Sequence, residues 1–525
     1  MGGLGDIAGN IAIGLQTATQ PINLLYCFIG VTLGTLVGVL PGIGALTAVS
    51  LLLPITFHLE PTAAIVMLAG VFYGTTYGGS TAAILLNLPG SPSAAVTCLD
   101  GYPMAQKGRA GVALFMTTIA SFVGGSIGII IIMLFSPAIS QLAIAFGPAE
   151  YFSVMLLGLV AASTISVGSP VKGLAMVIVG ILLGLVGMDL ITGLPRFTFG
   201  HLGLYEGLSL IAIAMGIFGL AEVISSVGRG DSGGPRERIT LASMVPSRDD
   251  ARRSVKPILR GSALGSFLGA LPGVGGVIAA FMAYAVERRV SREPDRFGKG
   301  AIEGVTAPEA SNNAADQTAF IPTLTLGIPG NVVMALMIGA LIIHGITPGP
   351  RLIVDRPELF WGLVMSFWIG NILLLVLNIP LIGIWVRLLL IPFHYLYPAI
   401  LVFVCMGVFS VYRSATDVLI VGIFGMLGYG MRLLGFPAAP LLLGFVLGPL
   451  VERHLQRALL MSGGDFAIFF SRPISALFMA GTIGIILMVL WSFLRRSLAS
   501  DTGAPGEDAA DTPASGSEDK RDPRG

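Results

Sequence analysis

Long apolar runs, not alternating or one-faced patterns, dominate this chain from residue 22 to residue 495. Runs of about 18 or more apolar residues read as membrane-spanning helices, and shorter ones as buried or re-entrant segments. The first half offers 22–40, 45–57, 61–77, 80–88, 111–135, 149–164, 171–188 and 207–227. The second offers 258–271 with a broken continuation to 286, then 332–343, 359–377, 396–409, 418–434, 441–450 and 474–494. By the length rule this makes about ten to twelve membrane elements in an all-α, polytopic integral membrane protein.

The apolar pattern stops where a spanning helix should not. Leu40-Pro41-Gly42-Ile43-Gly44 interrupts one run, and Leu271-Pro272-Gly273-Val274-Gly275 interrupts another. Two longer stretches read as further interruptions, "TTYGGSTAAILLNLPGS" (75–91) and "APEASNNAADQTAFIPTLTLGIPGN" (307–331). A break frees backbone N–H and C=O groups, which hydrocarbon cannot satisfy, so breaks persist only inside protein or beside a wet cavity. Freed N–H groups at a half-helix start favour an anion, and freed carbonyls at a half-helix end favour a cation such as Na⁺.

The interruptions repeat. A shift of 231 lays Gly30, Gly34, Gly38, Pro41, Gly42 and Gly44 on Gly261, Gly265, Gly269, Pro272, Gly273 and Gly275. A shift of 240 lays "LNLPGS" (86–91) on "LGIPGN" (326–331), and a shift of 242 lays Gly193-Leu194-Pro195 on Gly435-Phe436-Pro437. The expectation is two structural repeats, 22–227 and 257–495, with an inverted relation favoured over a parallel one. They follow an N-terminal segment, 1–21, and are joined by a polar linker, 228–256, whose basic excess marks a cytoplasmic side. The four-residue glycine spacing reads as a close-packing face rather than a binding element. The tail, 496–525, has no apolar period and reads as disordered. Arg495-Arg496 before it favours a cytoplasmic C-terminus.

Composition sharpens this picture. The chain has 525 residues, 54% hydrophobic and 11% charged, with mean hydropathy +0.86. That is too little charge to cover a water-facing surface, so lipid is its solvent. The net charge of +1 argues against a nucleic-acid partner. Cys27, Cys98 and Cys405 lie in apolar contexts and read as small buried hydrophobes. The N-terminus lacks the basic region of a signal peptide. The five histidines have no metal-ligand spacing, "FGKGA" lacks the Ser/Thr of a nucleotide-binding loop, and Gly124-Gly125-Ser126-Ile127-Gly128 lies in an apolar run without a strand. No cofactor and no enzymatic activity are expected.

Candidate site residues therefore come from the interruptions. Hydroxyls, amides and tip glycines suit a carboxylate ligand: Thr75, Thr76, Ser80, Asn87, Pro89, Gly90 and Ser91, then Asn312, Asn313, Pro329, Gly330 and Asn331. Freed carbonyls at Gly42, Gly44, Gly273 and Gly275, with Glu309 and Asp316, suit Na⁺. Carboxylates at membrane depth are rare and default to functional groups. Lys172 reads as a snorkelling residue at a helix start.

These motifs resemble the TctA family, the large membrane subunit of tripartite tricarboxylate transporters. The resemblance rests on "GVLPGIGALTAVSLLLPITF", "YGGSTAAILLNLPGSPSAAVTCLDGYPMAQKG", "GAIEGVTAPEASNNAA", "IPTLTLGIPGN" and "RFTFG", and it covers 24 to about 495. It implies a multi-pass permease of the bacterial inner membrane, driven by a Na⁺ or H⁺ gradient and importing carboxylates such as citrate. It also implies two partners: a small four-helix membrane subunit (TctB-like) and a periplasmic solute-binding protein (TctC-like). Where the family often has a small, glycine-rich stretch after "NNAA", this chain has Asp316-Gln317-Thr318, a departure that bears on the cation site and on substrate choice. The expected function is binding-protein-dependent, cation-coupled carboxylate import. A gated channel and an intramembrane enzyme are the rival classes.

Overall fold

The computed structural model describes residues 4–40, 43–165, 169–189, 193–226, 239–273, 275–389 and 393–501. Pro41, Gly42, Val274, residues 227–238 of the linker and the tail from 502 lie outside them.

The first half runs α1 (Leu4–Ala18), α2 (Pro21–Val39), α3 (Gly44–Thr56), α4 (Pro61–Leu86), α5 (Ala95–Gln106), α6 (Ala110–Ile144), α7 (Pro148–Ile165) and α8 (Pro170–Gly184). A hairpin of β1 (Gly187–Met188) and β2 (Pro195–Arg196) follows, the only strands among the described residues. Then α9 (Leu210–Ala214) passes through a π-helical turn, Met215–Leu220, into α10 (Ala221–Ser226).

The second half runs α11 (Arg248–Gly269), α12 (Gly275–Val290), α13 (Glu303–Thr318), α14 (Phe320–Thr325), α15 (Val332–Ile343), α16 (Leu352–Asp355), α17 (Pro357–Asn378) and α18 (Ile382–Leu388). It ends with α19 (Phe393–Tyr412), α20 (Ala415–Leu433), α21 (Ala438–Met461), α22 (Ile468–Ser471) and α23 (Pro473–Asp501). The architecture is all-α, and among the described residues six helices are long and apolar enough to cross a membrane. Outward faces carry Leu134, Phe135, Leu142, Leu487 and Met488 in exposed positions, as a lipid solvent requires.

Local chemistry sets the helix boundaries. Proline opens α2, α4, α8 and α17, where its missing N–H costs nothing. Ser247 and Asp250 close a reciprocal capping box at the start of α11, upstream of the expected element and inside the polar linker.

The glycine ladders seat helix on helix. A Cβ at Gly30, Gly34 or Gly38 would collide with the backbone of Met67, Val71 or Thr75 in α4. A Cβ at Gly261, Gly265 or Gly269 would collide with the backbone of Ala307, Ser311 or Ala315 in α13. Positions rise together in each pair, so α2 runs parallel to α4, and α11 parallel to α13.

Three expectations change here. The interruption after α11 is a reversal, not a broken continuation: Arg260, past the middle of α11, pairs with Glu287 late in α12, with Nε donating at 3.0 Å. Likewise α3 must return along α2, because only residues 57–60 link it to α4 and α4 starts beside the start of α2. Gly44, Gly273 and Gly275 have φ of +57, +84 and +66, left-handed values that glycine adopts without steric cost. Second, "TTYGG" does not break its helix. α4 is a single 26-residue helix in which Gly74 and Gly78 face the α2 backbone and Gly79 faces Gly90 and Ser91. Third, "APEASNNAADQT" is helical throughout α13, with every residue buried. Its alanines let α6 approach, Gly124 against Ala310 and Gly128 against Ala314. The interruptions themselves lie at 87–91 and 326–331, the "LPGS" and "IPGN" ends of the two stretches.

The ladders predict a stability contrast. Gly265→Ala, which forces a methyl into the Ser311 carbonyl, should cost about 1–3 kcal/mol. Gly422→Ala, in α20 with nothing within 4 Å, should be neutral or stabilising. Thermal unfolding of the detergent-solubilised protein followed by fluorescence-detected gel filtration reads the difference.

Candidate functional site

Helices α4 and α13 cross at the centre of the molecule with opposite directions. Thr76 Oγ1 donates to Asp316 Oδ2 at 2.9 Å, and Ser80 Oγ donates to Glu309 Oε1 at 2.7 Å. One helix index rises as the other falls. Glu309 and Asp316 are seven residues apart on α13, two turns or about 10 Å along one face.

Glu309, 2% exposed, sits in a cage of hydroxyls from three other helices. Ser80 from α4 and Thr97 from α5 both donate to Oε1, and Ser121 from α6 donates to Oε2 at 3.4 Å. Asn313 Nδ2 donates to Ser121 Oγ at 2.7 Å and to the Glu309 carbonyl at 2.9 Å, locking Ser121 in place. Asp316 forms a second centre. Asn312 Oδ1 and Asp316 Oδ1 both crowd the Cα of Gly276 in the first turn of α12, so closely that a Cβ there would strike each.

The two carboxylates differ from every other buried acid among the described residues. Glu150 pairs with Arg472, Glu222 with Arg432, Asp250 with Arg109, Glu287 with Arg260 and Glu303 with Arg253. Asp100 accepts from the backbone N–H groups of Gly300 and Ala301, each at 2.7 Å, and from Tyr284 Oη at 2.9 Å. Among the described residues, Glu309 and Asp316 have hydroxyl donors and no Lys, Arg or His within ion-pair distance. A buried charge without a partner is costly, so each must be met by a proton or by a cation from solution.

The chain interruptions gather around this crossing. Gly44 approaches the Gly90 carbonyl, and Gly90 packs on Gly38 and Gly79 beside Thr76. In the other half the Gly273 N–H donates to the Gly330 carbonyl at 3.0 Å, Gly275 approaches Asn331, and Gly330 packs on Ala319 beside Asp316. Gly42 lies outside the described residues.

Of the residues singled out in the sequence, Thr76, Ser80, Glu309, Asn312, Asn313 and Asp316 come together. Thr75 does not join them: its hydroxyl donates to the Phe72 carbonyl of its own helix. Asn87 ends α4 in the left-handed conformation, φ +57, and is exposed with Pro89, while Pro329 is buried. Ser91 and Asn331 cap the next helices, accepting from the N–H groups of Ala94 and Met334. Lys172 Nζ donates to the Leu434 carbonyl at 2.6 Å, away from the crossing. Thr97, Ser121 and the anchor Asp100 carry no signal in the sequence beyond being polar in apolar helices.

The capping geometry separates structure from binding. Asn331→Ala should lower stability by about 1 kcal/mol, and Asn331→Ser should restore it, because a hydroxyl caps as well as an amide. Melting curves of the two variants beside the parent check this.

Over residues 24–443 the chain matches the tripartite tricarboxylate transporter TctA family. It is 48% identical over 490 residues to an uncharacterized 52.8 kDa protein of the TAR-I ttuC′ 3′ region of Agrobacterium vitis, covering 93% of this chain and 97% of that one. It is 53% identical over 227 residues to an uncharacterized protein of the TAR-II ttuC′ 3′ region of the same organism, covering 43% of this chain and 94% of that one. No solved structure matches it. With the family spanning most of its length and a multi-pass helical fold around a buried polar crossing, the chain belongs to the tripartite tricarboxylate transporter TctA family.

Proposed function

We propose that this large transporter subunit imports a carboxylate by alternating access, coupled to cations that neutralise Glu309 and Asp316. The observation that carries the reading is the pair of buried carboxylates with no basic partner, where every other buried acid described has an arginine or backbone N–H groups. Removing an acid's counter-charge is destabilising, so two such sites on one helix are kept for an ion that comes and goes.

An inverted relation between the halves supports the alternation. Thr76 and Asp316 differ by 240, the same shift that superposes "LNLPGS" on "LGIPGN", and they bond to each other. Equivalent positions touch only at an internal two-fold axis. With α2 parallel to α4, α11 parallel to α13, and α4 antiparallel to α13, the two halves run in opposite directions across the membrane.

Charge orients the molecule. Arg109 before α6 pairs with Asp250 at the start of α11, and Arg253 pairs with Glu293 just beyond α12. The Arg253 and then the Arg296 guanidinium hold Glu293 below the usual carboxylate range. Arg288, Arg289 and Arg292 lie at this same end of α12. This basic end is cytoplasmic by the positive-inside rule. α23 starts at the opposite end, where Arg472 meets Glu150, and runs toward the basic end, which supports a cytoplasmic C-terminus with a binding-protein partner acting from the far side.

The substrate's carboxylates suit the freed N–H groups at the 87–91 interruption, whereas at 326–331 the Leu326, Ile328 and Gly330 N–H groups already donate to Pro322 and Thr323. The full complex, reconstituted with its small membrane subunit and solute-binding protein, should accumulate a di- or tricarboxylate uphill only under an inward Na⁺ or proton gradient. Glu309→Gln and Asp316→Asn should each lower gradient-driven uptake by about tenfold or more while the complex still assembles. Uptake that merely equilibrates the solute, unaffected by either gradient, would sink the reading in favour of a channel.

A further inference from the structure

A stripe on α6 runs on from Ser121, beyond the crossing described above. Leu114, Thr117, Thr118 and Ser121 recur at i, i+3, i+4 and i+7, on one face of α6. That face does not look at lipid. With Tyr77, Ser80 and Thr81 of α4 it lines a narrow slot, and Ser80 and Ser121 belong to both the slot and the Glu309 cage. The slot therefore opens out of the cage itself. It extends toward the start of α6, the end that Arg109 and Asp250 mark as basic.

The hydroxyls are oriented for one sign of charge. Thr117 and Thr118 both donate to the Leu114 carbonyl at 2.8 Å. Ser80 and Ser121 donate to Glu309, and Tyr77 donates to Asn371 Oδ1. With each of these O–H groups spent, the oxygens present lone pairs to the slot. Such a lining favours a cation over an anion. The slot is too narrow to hold a water molecule, and Leu114 and Ile382, each no more than 3% exposed, stand on its wall beyond the hydroxyls. Ile382 opens α18, a seven-residue helix after the end of α17, so a small displacement of α18 would change the width of the slot.

We propose that this slot between α4, α6 and α18 is the route by which a sodium ion leaves the Glu309 cage for the basic end, closed in this conformation by Leu114 and Ile382. The proposal rests on Glu309 being a coupling-ion ligand. It adds the hydroxyls of Thr97 and Ser121 to the ion's coordination and those of Thr81, Thr117 and Thr118 to its exit.

Sided thiol labelling tests it in the complete reconstituted transporter. With Cys27, Cys98 and Cys405 replaced by alanine, Thr117→Cys and Thr118→Cys are each treated with a membrane-impermeant thiol reagent from one side at a time. Both should react from the basic-end side only, and Na⁺ in place of choline should slow the reaction by about fivefold or more. In the Glu309→Gln background the labelling should persist and the Na⁺ effect should vanish. Failure of both cysteines to react from that side, or reaction at rates indifferent to Na⁺, would overturn the route. If uptake still loses its Na⁺ dependence in Glu309→Gln under those results, the coupling role of Glu309 stands and the exit alone falls.

Discussion

Backbone lies directly on backbone where α2 meets α4 and where α11 meets α13, and the rest of the molecule is arranged around those two contacts. Glycine at every fourth position removes the side chains that would hold the helices apart. Without a hydrophobic driving force in lipid, this close van der Waals contact is what fixes one membrane helix against another. It sets the heights of Gly38 beside Thr75 and of Gly269 beside Ala315, and so delivers the chain reversals to the level where Thr76 meets Asp316.

That placement resolves a conflict between solvent and function. A carboxylate in the middle of a membrane protein is costly, and so is a backbone group without a partner. The fold satisfies most of both. Asp100 ties the start of α13 to α5 through two backbone N–H groups, and arginines at the helix ends neutralise the remaining buried acids. What is left unneutralised is confined to two positions on one face of α13, each held by hydroxyls from the first half. A carboxylate held by donors that can rotate is a place where an ion can arrive and depart without the helices unpacking.

The notion of a broken helix needs dividing in light of this structure. Pro-Gly-x-Gly after α2 and α11 marks reversals, whereas Gly74, Gly78 and Gly79 sit in an unbroken helix and serve its packing. In a sequence the two uses look alike, since glycine permits both a left-handed turn and a close approach. The φ values separate them: Gly44, Gly273 and Gly275 are left-handed, and the α4 glycines are not.

The sequence by itself determined the solvent, the helical class, the glycine ladders, the position of the reversals and the polar residues of α13, because each is a local pattern of composition or spacing. It also pointed to Thr76, Ser80, Asn312 and Asn313, since polar side chains in apolar runs stand out. It could not distinguish Thr75, which bonds its own helix, from Thr76, which reaches Asp316, because one residue turns a side chain by about 100° around the helix. Thr97 and Ser121 were beyond its reach for another reason. They meet Glu309 across separations of 212 and 188 residues, and only the packing of four helices from both halves decides that those two hydroxyls, among the many in the chain, face the same carboxylate.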